Sequence, residues 1–343
     1  MSTGLTSDTL HFDDPLEAME YYFEQGWTDG LPVVPPTPER VAAALEAAGL
    51  EPSRILGTEP TKGRVITAEK AAVNAVMAGC KPEYFPVVAA AVEAMCEPRF
   101  NLHAITASTM GAAILVVVNG PIARRLGVNS GTGALGSGHR ANATIGRALR
   151  LTAINATGAR PGEIDKATLG HPGKYSYCLA EAEEVSPWEP LHVERGMGSE
   201  DSAVTLFAGL APLQVAFHES TRPEDLLTAL ADAMLAVGPG QQEVVVVLSP
   251  EHVGYLRAAG WSKEQVKTYL WERARRPASH WVEARRLPAE AARHSEEKVG
   301  VVRNPEGVTL LVAGGAAGGF SDIIPLWGGG AGSRSVTRPV ITS

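Results

Sequence analysis

The segment Asn129-Ser-Gly-Thr-Gly-Ala-Leu-Gly-Ser-Gly-His-Arg-Ala-Asn142 concentrates residue types that can do chemistry. Four glycines, Gly131, Gly133, Gly136 and Gly138, fall within eight residues and let backbone N–H groups close on a ligand as a concave nest. A helical pattern follows at once, so the free N–H groups and the positive end of a helix point at the same place. His139 and Arg140 add charge, while Asn129, Ser130, Thr132 and Asn142 add neutral hydrogen bonds. Such a set makes an anion site for a carboxylate, a phosphate or a developing oxyanion. The competing reading is a tight turn that only lets a helix pack closely. Gly131-Thr-Gly-Ala-Leu-Gly136 matches the dinucleotide pattern GxGxxG letter for letter, but no strand precedes it, which argues against a nicotinamide or flavin cofactor.

A second glycine-rich stretch, Gly314-Gly-Ala-Ala-Gly-Gly-Phe-Ser321, continues through Trp327 to Arg338 with Ser333, Ser335 and Arg334. It repeats the same logic, so Ser321 and Arg334 are expected to join the 129–142 loop around one ligand. The bland alternative for 328–335 is a flexible tail, and Val336–Thr342 reads equally as an edge strand. Cys80 stands between two helical patterns beside Lys81, where a helix N-terminus would lower a thiol pKa; it is the candidate nucleophile. His103, just before Ser108-Thr109, is the candidate acid–base group. His192-Val-Glu194-Arg195 alternates polar residues as the wall of an extended segment would. No HExxH, HxH or CxxC spacing is present, so no metal site is readable. Lys174-Tyr175-Ser-Tyr177 has the wrong order for the YxxxK pair of short-chain dehydrogenases.

These residues need elements to hold them. Helical spacing marks Pro15–Gly26, Pro38–Ala48, Ala68–Ala78, Pro82–Met95, Ala143–Asn155, Pro223–Ala236, Glu251–Ala259 and Lys263–Arg275. Apolar, β-branched runs mark strands at 112–118, 203–207, 213–217, 243–248 and 308–313, the first buried on both faces. From 157 to about 201 the chain reads as irregular. The expected class is α/β: a helix-rich N-terminal domain over 1–200 carrying the glycine loop, then a smaller α/β layer over 201–343. The chain of 343 residues is long enough for one large or two ordinary domains.

Bulk properties narrow the partners. A net charge of -8 argues against nucleic acid and anionic membranes. The longest apolar run is far below the ~20 residues of a membrane span, and the polar N-terminus has no signal pattern. Three widely spaced cysteines suit a reducing cytoplasm. A small-molecule substrate is the expected partner, with homo-oligomerisation left open.

Gly26-Trp-Thr-Asp-Gly-Leu-Pro-Val-Val-Pro-Pro-Thr37, Ala78-Gly-Cys-Lys-Pro-Glu-Tyr84, Arg140-Ala-Asn-Ala-Thr-Ile-Gly-Arg-Ala-Leu-Arg-Leu151 and Ser186-Pro-Trp-Glu-Pro-Leu-His-Val-Glu-Arg-Gly196 resemble a widespread, largely uncharacterised bacterial family that occurs beside, or fused to, UGSC-motif (seleno)proteins. The resemblance spans most of the chain and implies no reaction. The chain lacks a Cys-Gly-Ser-Cys run, so the thiol chemistry of the UGSC name is not carried over. The residues themselves favour a cofactor-free hydrolase or lyase with a small polar or anionic substrate between two glycine loops. A thiol-dependent oxidoreductase centred on Cys80 and a non-catalytic anion-binding or assembly subunit are the rivals.

Overall fold

The computed structural model describes residues 4–294, 296–328 and 332–341. Its strands in chain order are β1 Ile55–Glu59, β2 Arg64–Thr67, β3 Ala113–Asn119, β4 Cys178–Ala180, β5 Ala203–Gly209, β6 Leu213–Ala216, β7 Val244–Leu248, β8 Arg275–Pro277, β9 Lys298–Gly300, β10 Val308–Val312, β11 Phe320–Pro325 and β12 Val336–Pro339.

β5, β7 and β10 are buried at every residue. Strands apolar on both faces need cover on both, and the period-2 alternation shows what covers each. Val116 and Val118 of β3, Val204 and Leu206 of β5 and Val336 of β12 share a core with the helices Ala68–Ala78, Phe85–Met95 and Arg140–Thr157. Leu115, Val117 and Phe207 face the other way and meet Val245 and Val247 of β7, Leu311 of β10 and Ile324 of β11. Val244, Val246 and Leu248 then turn to the helices Pro223–Leu235, Pro250–Ala258 and Lys263–Arg273. The chain is therefore α/β, in four layers: helices, sheet, sheet, helices.

The two sheets share one plan. Their orders are β4-β3-β5-β12 and β10-β7-β11-β6. In each, the first two strands are parallel, and the third and fourth run antiparallel to the strand before them. The expected boundary near residue 200 does not separate these sheets. β5 and β12, both beyond it, complete the sheet of β3 and β4. β12 seals the β5 edge, with Thr337 Oγ1 3.0 Å from Thr205 Oγ1.

Contacts between the sheets set their relative direction. Leu210 N donates to Pro325 O at 2.8 Å and Trp327 N to Ala208 O at 2.8 Å. These bonds tie the end of β5, beside the start of β3, to the end of β11, beside the start of β7. At the opposite side Ala182 N donates to Val312 O at 2.7 Å. The parallel strands β3, β4, β7 and β10 thus all end on one rim, where ligands of open α/β sheets gather.

Local differences from the sequence expectation have physical causes. The 157–201 stretch supplies β4, and at its far end the helix Leu191–Glu194 stands where an extended wall was expected. Elements this short carry no periodic signal. Pro82–Tyr84 is a 3-10 turn, and the α-helix starts only at Phe85 with a proline in its first turn. Among the described residues no helix is long and apolar enough to cross a membrane.

Candidate functional site

The two glycine loops do meet at the rim. Gly314 N donates to Ser130 O at 2.8 Å, and a Cβ on Gly315 would stand 2.9 Å from Thr132 Oγ1. Several polar side chains of the 129–142 loop, however, are turned on backbone groups of the loop and its neighbours. Asn142 is buried; its Oδ1 accepts Asn129 N–H at 2.7 Å, and its Nδ2 donates to Asn129 O at 2.9 Å and Cys178 O at 3.1 Å. Asn129 Oδ1 accepts Gly131 N–H and its Nδ2 donates to Thr132 O. Thr132 is exposed, and His139 is the helix N-cap residue without a side-chain cap bond. Arg140 donates from Nε and Nη2 to Gly79 O at 3.1 and 2.9 Å, and so caps the helix Ala68–Ala78.

The other expected groups are dispersed. Cys80 lies beside Thr144 and Arg140, but burial pushes its thiol up to about 12 against their opposing pull. The expected activation fails because the following helix begins at Phe85, so no α-helical N-terminus is at hand. His103 sits in the short helix Leu102–Ala107, ahead of β3 and so on the amino side of the sheet. Ser321 is buried; Ser249 N donates to its Oγ at 3.2 Å, and that Oγ lies 2.7 Å from Nδ1 of the buried His252. His252 Nε2 reaches Phe217 O at 3.0 Å, so both groups are satisfied internally. Arg334 is exposed and its backbone N–H bonds Arg99 O, on the side of β12 and away from Ser130. Gly329 to Ala331, part of the second glycine stretch, lie outside the described residues.

The rim carries a different constellation. Asn119 closes β3, and Glu181 and Glu183 follow β4, its parallel neighbour. Asn119 is fully buried, and its two amide hydrogens go to different carboxylates: Glu181 Oε2 at 2.8 Å and Glu183 Oε1 at 3.0 Å. Leu191 N–H also donates to Glu181 Oε2 at 2.8 Å, and Gly120 N–H to Glu183 Oε1 at 2.7 Å. Position 120 must be glycine, since its φ is 83° and a Cβ would fall 2.0 Å from Asp201 O.

Glu183 therefore has one oxygen pinned and one free. The free Oε2 is 4.0 Å from Nη1 of Arg124, a mostly exposed guanidinium that also donates from Nη1 to Glu184 Oε1 at 3.4 Å. His192 is fully buried with Nδ1 3.9 Å from Glu183 Oε1. Neither His192 ring nitrogen has a hydrogen-bond partner, nor does the buried Asn119 Oδ1. Orphaned buried atoms of this kind are rare and call for a water or a ligand. Burial holds the Glu181 carboxyl above its ordinary range, against the pull of Lys263 and the bonds from Leu191 and Asn119. Two linked carboxylates in unlike surroundings, one buried and one partly exposed beside a cation, can move a proton to or from an anionic molecule.

Sequence reading missed this cluster because its members lie 62 to 64 positions apart. The available signal was Asn119-Gly120 at the end of a fully apolar strand. His192 was singled out, but as part of an extended wall. Among the described residues, no group of three or more His, Cys, Asp or Glu is placed to hold a metal. Elsewhere the described residues form a cleft of about 340 Å³ lined by Arg54, Glu93, Cys96, Glu97 and Arg338 among others, and a cavity of about 20 Å³ by the start of β3. Neither is lined by any residue from 129 to 142. Comparison with protein-family models, curated proteins and solved structures returned no match.

Proposed function

We propose that the chain is a hydrolase or lyase of small polar or anionic organic molecules, working at the rim with Glu183 as the group that takes and returns the proton. The observation that carries this reading is the division of labour on Glu183: Gly120 and Asn119 pin Oε1, and Oε2 stands free beside exposed Arg124. Arg124 would exchange its exposed bond to Glu184 for the substrate's anionic group and place the labile proton, or a water, against Oε2. His192 acts through Glu183, and Glu181 fixes Asn119 and the helix Leu191–Glu194. The proposal calls on no cofactor. A cytoplasmic setting belongs to it and is supported by three free cysteines. The thiol-centred alternative loses support because burial keeps Cys80 protonated. The anion role expected of Arg140 is given to Arg124, whose bond to Glu184 Oε1 is a single exposed one of 3.4 Å, whereas Arg140 makes two shorter bonds to Gly79 O.

The test is proton NMR in D2O on a panel of small hydroxy acids, oxo acids, esters and amides. A responsive compound should lose its α-proton signal or be cleaved with the wild-type protein. Glu183→Gln should reduce the rate by about 10²–10⁴-fold, and Arg124→Ala should raise KM for anionic members only. Turnover that survives Glu183→Gln at the wild-type rate would sink the assignment.

A further inference from the structure

The smaller cavity, about 20 Å³, lies by the start of β3, on the side opposite the rim. Ile105, Ala112, Ile114 and Ala153 give it apolar walls, and Arg150 and Lys174 enter it as cations. Both side chains are only 14% exposed, and both bind the same carboxylate oxygen. Arg150 Nη2 is 2.9 Å and Lys174 Nζ 2.8 Å from Oδ2 of the buried Asp165, and Lys174 Nζ also donates to Asp165 Oδ1 at 3.0 Å and, more weakly, to Ala112 O at 3.4 Å. The charges acting on Asp165 are Arg150 and Lys174, and those acting on Lys174 are Asp165 and Arg150. His171, the neighbouring histidine, is driven towards its neutral form by burial. Two cations thus share one anion, and a positive charge is left over beside a small, partly open cavity. Burial draws Lys174 below its ordinary value, which is the same imbalance seen from the proton's side.

Buried charge without a counter-charge is strongly unfavourable. A volume of about 20 Å³ exceeds the ~10–15 Å³ that holds one water, and a water would leave the charge in place. A single compact anion fits and neutralises it, whereas sulfate, phosphate or a carboxylate is too large. We propose that this cavity is a halide site, with one chloride or bromide held between the Arg150 guanidinium and the Lys174 ammonium. The ion would fasten the helix Arg140–Thr157 to the turn Pro172–Lys174 and the start of β3.

Thermal unfolding of the intact chain tests it. In sodium chloride or bromide, Tm should rise by roughly 2–3 °C between salt-free buffer and about 0.3 M, as for a ligand of ~10 mM affinity. Sodium gluconate at equal ionic strength should not give this increment. Lys174→Met leaves the neutral Arg150–Asp165 pair and should abolish the halide-specific part. Should that variant fail to fold, crystals of the wild type soaked in bromide give the same answer, through an anomalous peak between residues 150 and 174. Equal melting in chloride and gluconate, a halide increment intact in Lys174→Met, or a bromide map empty at this place would each overturn the proposal.

Discussion

Asn142 separates a structural reading of the glycine loop from a ligand-binding one. Its side chain makes three bonds of 3.1 Å or less, two with Asn129 and one to Cys178 O, and a longer one of 3.3 Å to Ala134 O. Asn142→Ala removes them and leaves the buried Cys178 carbonyl without that donor. At about 1 kcal/mol for each bond, the loss is about 3 kcal/mol. The unfolding entropy of a chain this long is about 0.7 kcal/mol/K, so Tm should fall by about 4 °C. Asn142→Asp keeps the shape but turns an anion on two carbonyls; a buried charge lacking a partner raises the loss to about 5 kcal/mol and about 7 °C. Differential scanning calorimetry reads both, and hydrogen exchange should show the Asn129 amide, now without its acceptor, losing protection. The order wild type, Ala, Asp is the signature of a staple. An Asn142→Ala protein melting within 1 °C of wild type, with Asn129 still protected, would refute the reasoning and return Asn142 to the ligand.

Two further outcomes follow from burial. Because burial raises the Glu181 carboxyl, its neutral form suits the fold: the stabilising contribution is present below the unfolded value near 4.5 and is lost as pH rises through the folded one. Glu181→Gln should therefore raise Tm by roughly 1–3 °C at neutral pH, the gain shrinking below about pH 4.5; a lower Tm at pH 7 than wild type contradicts this. With the Cys80 and Cys96 thiols pushed up to about 12, the native protein should resist iodoacetamide at pH 8, whereas denatured protein takes up one group per cysteine, as intact mass would show. Rapid labelling of native Cys80 would restore it as a nucleophile.

The strands that sequence made legible are those buried on both faces, such as Val244–Leu248 and Val308–Val312, since an unbroken β-branched run has few other uses. The helices were legible from their spacing; Lys263–Arg273 is one, and Ser262 just ahead of it forms a full capping box with Gln265. What stayed hidden was partnership. Nothing local in Ala203–Gly209 says that it pairs with β3 and not with the strand that follows it, and three-residue β4 has no pattern to read. The same limit governs the site. Asn129, Arg140 and Asn142 have the types a ligand pocket uses, but polar side chains bond backbone as readily as ligand, and here loop and cap carbonyls took them. Glu181 and Glu183 looked like ordinary acidic residues until the end of β3 was set beside them.

The placing of β12 has a consequence for synthesis. The sheet begun by β3 is closed only by Val336–Pro339, which pairs with β5. While the chain is being made, β5 is an open edge whose seven residues are all buried in the finished protein. β12 follows β5 by about 130 residues, so at ordinary elongation rates that edge waits on the order of 10 s for its cover. An apolar edge strand is a template for pairing with other chains. A ribosome that stalls between β11 and β12 therefore releases a product that has most of its core and none of the strand that shields it, and such fragments should be held by chaperones or lost to aggregates.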